Sequence, residues 1–373
     1  MRNLDLFERD LPVAPTPGPI VEPVHVPTPI AVAIPSSVPA AAAMPAVSVV
    51  SVVAAAPATS EVGPELLVVD ATALLFRAFF GMQPRYSPAG VPIGAVLGLA
   101  QLLSQVVRRR RPRHVALVYD AGRETFRNRI DPRYKAQRGE PPPELVPQFE
   151  LALRLGQALG FAAYSVPDYE ADDLMATLAR RAREAGASAR LVSVDKDVCQ
   201  LVRDAAPGVC VEDPRTAEVC DEAGVRQRMG VAPGRVVDAM ALIGDSSDNI
   251  PGVRGVGPRA AVALLEAFEN LEGIYADLGR VEALDLRGAR GLARKLEAGR
   301  AEAFLARELV RLCDAAPVDA VAAAPGRAAV PCGPGGLLAH TRWHGPRADA
   351  AALFDELGTY GALRGFQALR ASF

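Results

Sequence analysis

From Leu66 onward the chain alternates short apolar runs with longer stretches in which apolar positions recur every three or four residues. The short runs, "LLVVD", "HVALVYD" and "ARLVSVDKD", have the length and branched aliphatic content of strands, and the stretches between them have the period of helices. This alternation predicts an α/β fold on a parallel sheet. Three of the runs close on aspartate: Asp70, Asp120 and Asp195, with Asp197 two positions on. Parallel strands present their C-terminal ends along one edge, where α/β folds place their sites, so these acids are expected to gather there.

A fourth segment, "YEADDLMATLA", sets Glu170, Asp172 and Asp173 directly ahead of an amphipathic run. Helix capping and the helix dipole account for one or two acids at such a position. A third charge beside two others is unfavourable unless a cation or a set of donors neutralises it. The loop "LIGDSSDNIPG" adds Asp245 and Asp248. Carboxylates in this number, without interleaved His or Cys, suit magnesium or manganese rather than zinc. Two ions are expected, because one magnesium takes one or two carboxylates, whereas a pair about 4 Å apart can clamp both reacting oxygens of a phosphodiester. His25, His114, His340 and His344 lie outside these motifs. The expected nucleophile is therefore water activated by metal, with no acid–base histidine.

Composition narrows the setting. The 373 residues carry a net charge of −2, which by itself gives no case for nucleic acid. The five cysteines form no CxxC pair or zinc spacing, and with no secretory signature they point to reduced thiols in the cytosol. Residues 1–62 hold eleven prolines between Pro12 and Pro57, which predicts a disordered Pro/Ala-rich tail. Its apolar run "AVSVVSVVAAA" is shorter than the ~18 residues a membrane span needs, so no membrane role is expected.

The distribution of charge says more than the sum. Between Gln105 and Glu140 there are eleven basic and four acidic residues, an excess of 11 − 4 = +7. The "RRRRPR" part can be a solvated helix end complementing the dipole. The part "FRNRIDPRYKAQRGEPPP" is a long, basic, proline-rich connection with Phe126 and Tyr134 inside it. Long connections of that kind are usually functional, and cations with aromatics suit single-stranded nucleic acid, the charges following phosphates and the rings stacking on bases. Further on, "GVRGVGPRAAVALLEAF" fits the loose G-x-G-x-x-A dinucleotide pattern but follows a polar loop rather than a strand, so a dinucleotide site fails its context. A glycine hairpin opening a helix still offers backbone N–H groups to a phosphate, with Arg254 and Arg259 beside it. That suits a grip on a DNA backbone without base reading.

The stretches "VVDATALLFRAFF", "LVYDAGRETFRNRIDPRYKAQR", "PDYEADDLMATLA", "VSVDKDVCQLV" and "ALIGDSSDNIPGVRGVGPRAA" together resemble, in order, the 5′-nuclease family: the 5′→3′ exonuclease domain of bacterial DNA polymerase I and the flap endonucleases. They cover about Leu66 to Phe268 densely. The resemblance implies a parallel-sheet, PIN-like core over residues 63–230 with a helical arch at about 123–147. It also implies a helix-3-turn-helix over 231–320, able to carry a potassium ion, and leaves 321–373 as a C-terminal extension. By position, Asp70, Asp120, Glu170, Asp172 and Asp173 resemble the first metal site, and Asp195, Asp197 and Asp248, with Asp245 near, the second. Tyr134, Lys135 and Arg138 match the arch motif and, with Arg127, are candidates for contact with the reacting phosphate. Arg133, Gly252, Arg254, Gly255, Gly257 and Arg259 are candidates for binding DNA. Ala71, Phe76 and Arg259 depart from the family's usual Gly, Tyr and Lys.

The implied activity is metal-dependent 5′→3′ exonuclease or 5′-flap cleavage of DNA in replication and repair. The implied partners are DNA with a 5′ flap or 5′ end, an RNA primer–DNA hybrid, and polymerase or repair proteins. A monomer in the cytoplasm, at the nucleoid, is expected. The segment "ALFDELGTYGALRGF" resembles the start of the linker beyond the nuclease in polymerase I. Two alternatives stand beside this reading. "VSVDKDV" with "GDSSD" is similar to the haloacid dehalogenase-type phosphatases, with Asp195 as nucleophile, although that nucleophile normally sits on the first strand. A non-catalytic DNA-binding protein is the other, although its acids would repel the nucleic acid.

Overall fold

The structure, a computed structural model, describes residues 63–285, 288–319 and 334–372. The expected disordered tail lies outside the described residues. Six strands, β1 (Glu65–Asp70), β2 (His114–Tyr119), β3 (Ala162–Ser165), β4 (Ser188–Val192), β5 (Val209–Glu212) and β6 (Val219–Cys220), form one sheet in the order β3-β2-β1-β4-β5-β6. All pairs are parallel except β5 with β6. Chain order runs outward from β1 through β2 to β3 and then returns to β4 on the other side, so the crevice between β1 and β4 is a topological switch point.

The strands are apolar on both faces because both are covered. Leu66 and Val68 of β1 point into one layer and Leu67 and Val69 into the other, following the two-residue period of the pleat. Helices α1 (Ala71–Gly81), α2 (Gly94–Arg110) and α4 (Val146–Ala158) cover the second face, and α5 (Ala171–Glu184) lies on the first. The segment 123–147 carries one short helix, α3 (Phe126–Ile130), and otherwise runs as turns, since Pro132, Gly139 and Pro141 to Pro143 interrupt any longer helix. Beyond the sheet come α6 (Glu222–Met229), α7 (Val236–Ile243), α8 (Pro258–Phe268), α9 (Leu271–Ala276), α10 (Leu278–Glu282), α11 (Ala289–Ala298) and α12 (Arg300–Val310). Their apolar faces join the α5 layer in one continuous core.

The "RRRRPR" stretch is not merely a solvated helix end. Arg109 and Arg110 both reach the fully buried carboxylate of Glu212 at the end of β5, each at 2.7 Å. Nor is the C-terminal part an appendage: α13 (Pro334–Thr341) joins the first layer through Leu337, and α14 (Ala350–Glu356) and α15 (Gly361–Ala371) close the second with Leu353, Phe354, Leu363, Phe366 and Leu369. Between α13 and α14, Trp343 stacks on Phe161 with ring centres 5.4 Å apart, and its indole N–H donates to the Leu159 carbonyl at 2.9 Å. The approach there needs a bare backbone. Gly160 has φ +83°, and a Cβ on it would lie 2.0 Å from the Gly345 carbonyl oxygen.

Trp343→Ala is therefore expected to cost about 3–5 kcal/mol, the range for a buried tryptophan that leaves a cavity. Thermal melting should show a clear drop in Tm; a Tm within a degree of the parent would contradict the packing.

Candidate metal centre and nucleic-acid interface

Three of the acids owe their position to strand ends. Asp70 closes β1 and caps α1, its Oδ1 accepting from the Ala73 N–H at 2.9 Å while Ser193 Oγ donates to Oδ2 at 3.3 Å. Asp120 follows β2, and its Oδ1 accepts from the Ala171 N–H at 2.8 Å. The fourth strand stops at Val192, so Asp195 stands on the loop after it, fixed where its N–H donates to Ser193 Oγ and its Oδ1 accepts from the Asp197 N–H. Asp197 opens a short 3-10 helix, Asp197–Leu201.

The remaining acids complete two groups. Glu170, Asp172 and Asp173 have ligand oxygens within 4.8 Å of one another at the start of α5, and so do Asp197, Asp245 and Asp248. Two residues of the basic connection stand between the groups. The Tyr134 hydroxyl donates to Glu170 Oε2 at 2.9 Å and to Asp248 Oδ2 at 3.2 Å. Lys135 Nζ lies 2.8 Å from Glu170 Oε1 and 3.5 Å from Asp248 Oδ2. Arg138 binds Asp248 Oδ1 at 2.5 Å, and Lys196, which sequence reasoning passed over, holds Asp245 at 3.1 Å.

The electrostatics follow from crowding and burial. Burial, then the charges of Asp120 and Asp195, pushes the Asp70 carboxyl up to about 7. Burial and then Asp195 and Asp248 hold Asp197 well above the usual carboxylate range, and burial with Glu170 and Asp173 does the same to Asp172. Asp245 goes the other way: burial opposes ionisation there, but the Ser247 hydroxyl and Lys196 outweigh it. Lys135 is likewise raised, since the Glu170 and Asp248 charges overcome its burial.

Would these residues fit a divalent cation? The donors are all carboxylate oxygens, which suits a hard ion. Asp197 Oδ1 is buried with no hydrogen-bond partner and belongs to a group of three converging carboxylates, an orphaned acceptor of the kind a cation would satisfy. The residues present fit.

Several expected residues sit elsewhere or otherwise. Tyr134 is 3 % exposed, so its ring cannot stack on a base; its hydroxyl is turned to the acids instead. Phe126 packs against Tyr169, with the Arg127 guanidinium over its ring. Arg127 is 1 % exposed and grips Asp173 with both terminal nitrogens, at 2.7 and 2.8 Å, so it cannot reach a substrate phosphate, and Asp173 has both oxygens engaged. Arg133 is exposed but forked onto Asp131. The glycine hairpin follows the Asp245–Asp248 loop directly. Gly252, with φ +57°, is bare because a Cβ would come 2.3 Å from the Gly244 nitrogen. Gly255 has φ +81°, Gly257 caps α8, and Arg254 and Arg259 are exposed beside them. Thr72 and Ser193, which steady Asp120 and Asp70, carried no signal beyond their nearness to strand-terminal acids.

A family model for the 5′-3′ exonuclease N-terminal resolvase-like domain matches residues 65–230, and one for the C-terminal SAM fold matches 231–327. The chain is 39 % identical over 263 residues to DNA polymerase I of Chloroflexus aurantiacus, covering 69 % of this chain and 27 % of that relative. It is 34 % identical over 209 residues to a 5′-3′ exonuclease of Aquifex aeolicus, covering 56 % of this chain and 71 % of that protein. In fold it is similar to the T5 5′-exonuclease with bound zinc, at TM-score 0.54 and 24 % identity over 67 % of this chain and 90 % of the other. It is also similar to the bacteriophage T5 flap endonuclease in a pseudo-enzyme–product complex with DNA and metal ions, at TM-score 0.53 and 23 % identity over 67 % and 89 %.

A carboxyl held near 7 in the fold and near the ordinary 3.8 in the unfolded chain stabilises the fold while protonated. That stability is complete below the unfolded value and is lost as pH rises through about 7. In chelator, Tm should therefore fall between pH 5 and 8, and millimolar magnesium should reverse most of the fall. A metal-free Tm that rises over that interval would contradict the assigned burial of Asp70.

Proposed function

The chain belongs to the 5′-3′ exonuclease family, and from that premise we propose that it cleaves DNA at 5′ ends or 5′ flaps by a two-metal mechanism. The observation that carries this reading is the pair of carboxylate groups at the switch-point edge, with Tyr134 and Lys135 standing between them. Asp70, Asp120, Glu170 and Asp172 would hold one divalent ion, and Asp195, Asp197, Asp245 and Asp248 the other. When bound, such a pair polarises the phosphodiester and lowers the pKa of an attacking water.

The chain's own groups supply the rest. Lys135 and Arg138 lean on Glu170 and Asp248 and stand where a phosphate crossing between the two groups would meet them. Both can exchange a carboxylate partner for a phosphate oxygen at little cost, since an ammonium or guanidinium serves either anion. Tyr134 orients Glu170 and Asp248 toward a common point. The exposed Arg254 and Arg259 flank the N-terminus of α8, whose free N–H groups suit a backbone phosphate of the duplex. Contacts of this type position DNA without reading bases. A purely DNA-binding chain would leave the two carboxylate groups working against its own ligand.

The deciding experiment incubates the purified chain with a labelled 5′-flap duplex in magnesium and in chelator. Cutting in magnesium alone, lost in Asp70→Asn without loss of fold, is the expected outcome; binding without cutting would favour the non-catalytic reading. Lys135→Ala is expected to lower turnover by about 10²-fold or more, as for loss of one group stabilising transition-state charge, while duplex affinity stays within a few-fold. Equal losses in both would place Lys135 in general binding.

A further inference from the structure

Arg127 heads the largest fully buried side chains of the described residues, and a buried guanidinium is costly unless every donor is engaged. Here the donors are engaged. Two terminal nitrogens fork onto Asp173; Nε donates to the Leu309 carbonyl at 2.8 Å and Nη2 to the Arg311 carbonyl at 3.1 Å, both at the end of α12. Asp173 is satisfied in turn. Besides the fork, its Oδ1 accepts from the Cys313 N–H at 2.8 Å and its Oδ2 from the Glu170 N–H at 3.2 Å.

The same cluster touches the acids of the metal centre directly. Arg127 Nη1 lies 3.4 Å from Glu170 Oε2, the oxygen that also receives the Tyr134 hydroxyl. The Glu170 backbone is held through Asp173 and one of its oxygens by Arg127 and Tyr134, which leaves Oε1 turned to Lys135. Asp172, between the two, has its own Oδ1 bound by the Asp173 N–H at 2.8 Å. The stitching continues past α12, where the Ala316 N–H donates to Thr177 Oγ1 and that hydroxyl lies 2.9 Å from the Asp173 carbonyl.

We propose that Arg127 and Asp173 are positioning residues: a buried bracket that aims Glu170 and Asp172 at the cation and fastens the start of α5 to the end of α12. Neither touches substrate. The bracket sets metal affinity, and it makes the helical region that ends in α12 and the first carboxylate group one unit. The inference rests on the metal-dependent reading of the site.

The test titrates the full chain with manganese, without DNA, following the free ion by electron paramagnetic resonance, alongside Tm and cleavage. Arg127→Lys keeps the charge but cannot fork onto two oxygens and two carbonyls at once. It should weaken manganese binding about 10- to 100-fold, the range for a lost outer partner of a metal ligand. Half-maximal cleavage should need correspondingly more metal, and duplex affinity in chelator should be unchanged. A double variant, Arg127→Leu with Asp173→Leu, removes both charges together, which buried sites often tolerate, and it should show the same loss of manganese with the fold kept. A folded variant of either kind with parental manganese affinity would overturn the bracket, and so would loss of fold in both, since that places the pair in the scaffold alone. A parent chain that binds no manganese would instead sink the functional reading.

Discussion

Nine carboxylates brought to one edge of a sheet repel one another, and much of the structure around them exists to keep them there. Burial disfavours their charged forms and the neighbouring acids add to it, which is why the Asp70, Asp172 and Asp197 carboxyls are all raised. The neutralising charges come from two parts of the chain: Arg127, Lys135 and Arg138 from the basic connection, and Lys196 from the loop after β4. Lys135 even adopts a left-handed backbone, φ +53°, which a side-chain-bearing residue rarely holds. Its N–H donates to the Asp248 carbonyl at 2.9 Å and its ammonium reaches both acidic groups, so the contacts that require this conformation also sustain it.

The basic stretch from Gln105 to Glu140 therefore does two kinds of work with one composition. Eight of its eleven cations, Arg109, Arg110, Arg123, Arg127, Arg129, Arg133, Lys135 and Arg138, form ion pairs inside the chain. Exposed pairs such as Arg129 with Asp168 or Arg123 with Glu140 are weak, and a nucleic-acid phosphate can compete for them. The Arg127–Asp173 and Arg109–Arg110–Glu212 pairs are buried at the acid, where no phosphate reaches, so their role is to hold elements together. Burial, not charge count, separates the two groups.

The three acids ahead of α5 show the same division. Asp173 is the capping and pairing residue, both oxygens used by backbone N–H groups and a guanidinium. Glu170 is met by the Tyr134 hydroxyl and the Lys135 ammonium, and Asp172 by the Asp173 N–H. Capping and charge pairing thus operate together at this helix start, Asp173 and Asp172 each accepting a backbone N–H while Glu170 meets Tyr134 and Lys135.

Sequence alone determined the parallel α/β class, because apolar runs buried on both faces can be satisfied only in a sheet covered by helices. It also determined that Asp70, Asp120 and Asp195 would share an edge, because parallel strands leave no other arrangement. It could not assign the partner of each charge. Arg127 and Lys135 are eight positions apart in one basic segment, yet one is forked onto Asp173 at the start of α5 and the other stands between the acidic groups. Nor did it show that Trp343, Phe354 and Phe366 complete a layer begun nearly three hundred residues earlier by Leu67, since a helical period says that a face is buried but not against what. Those pairings depend on distances between residues remote in the chain, and only the closed tertiary structure decides them.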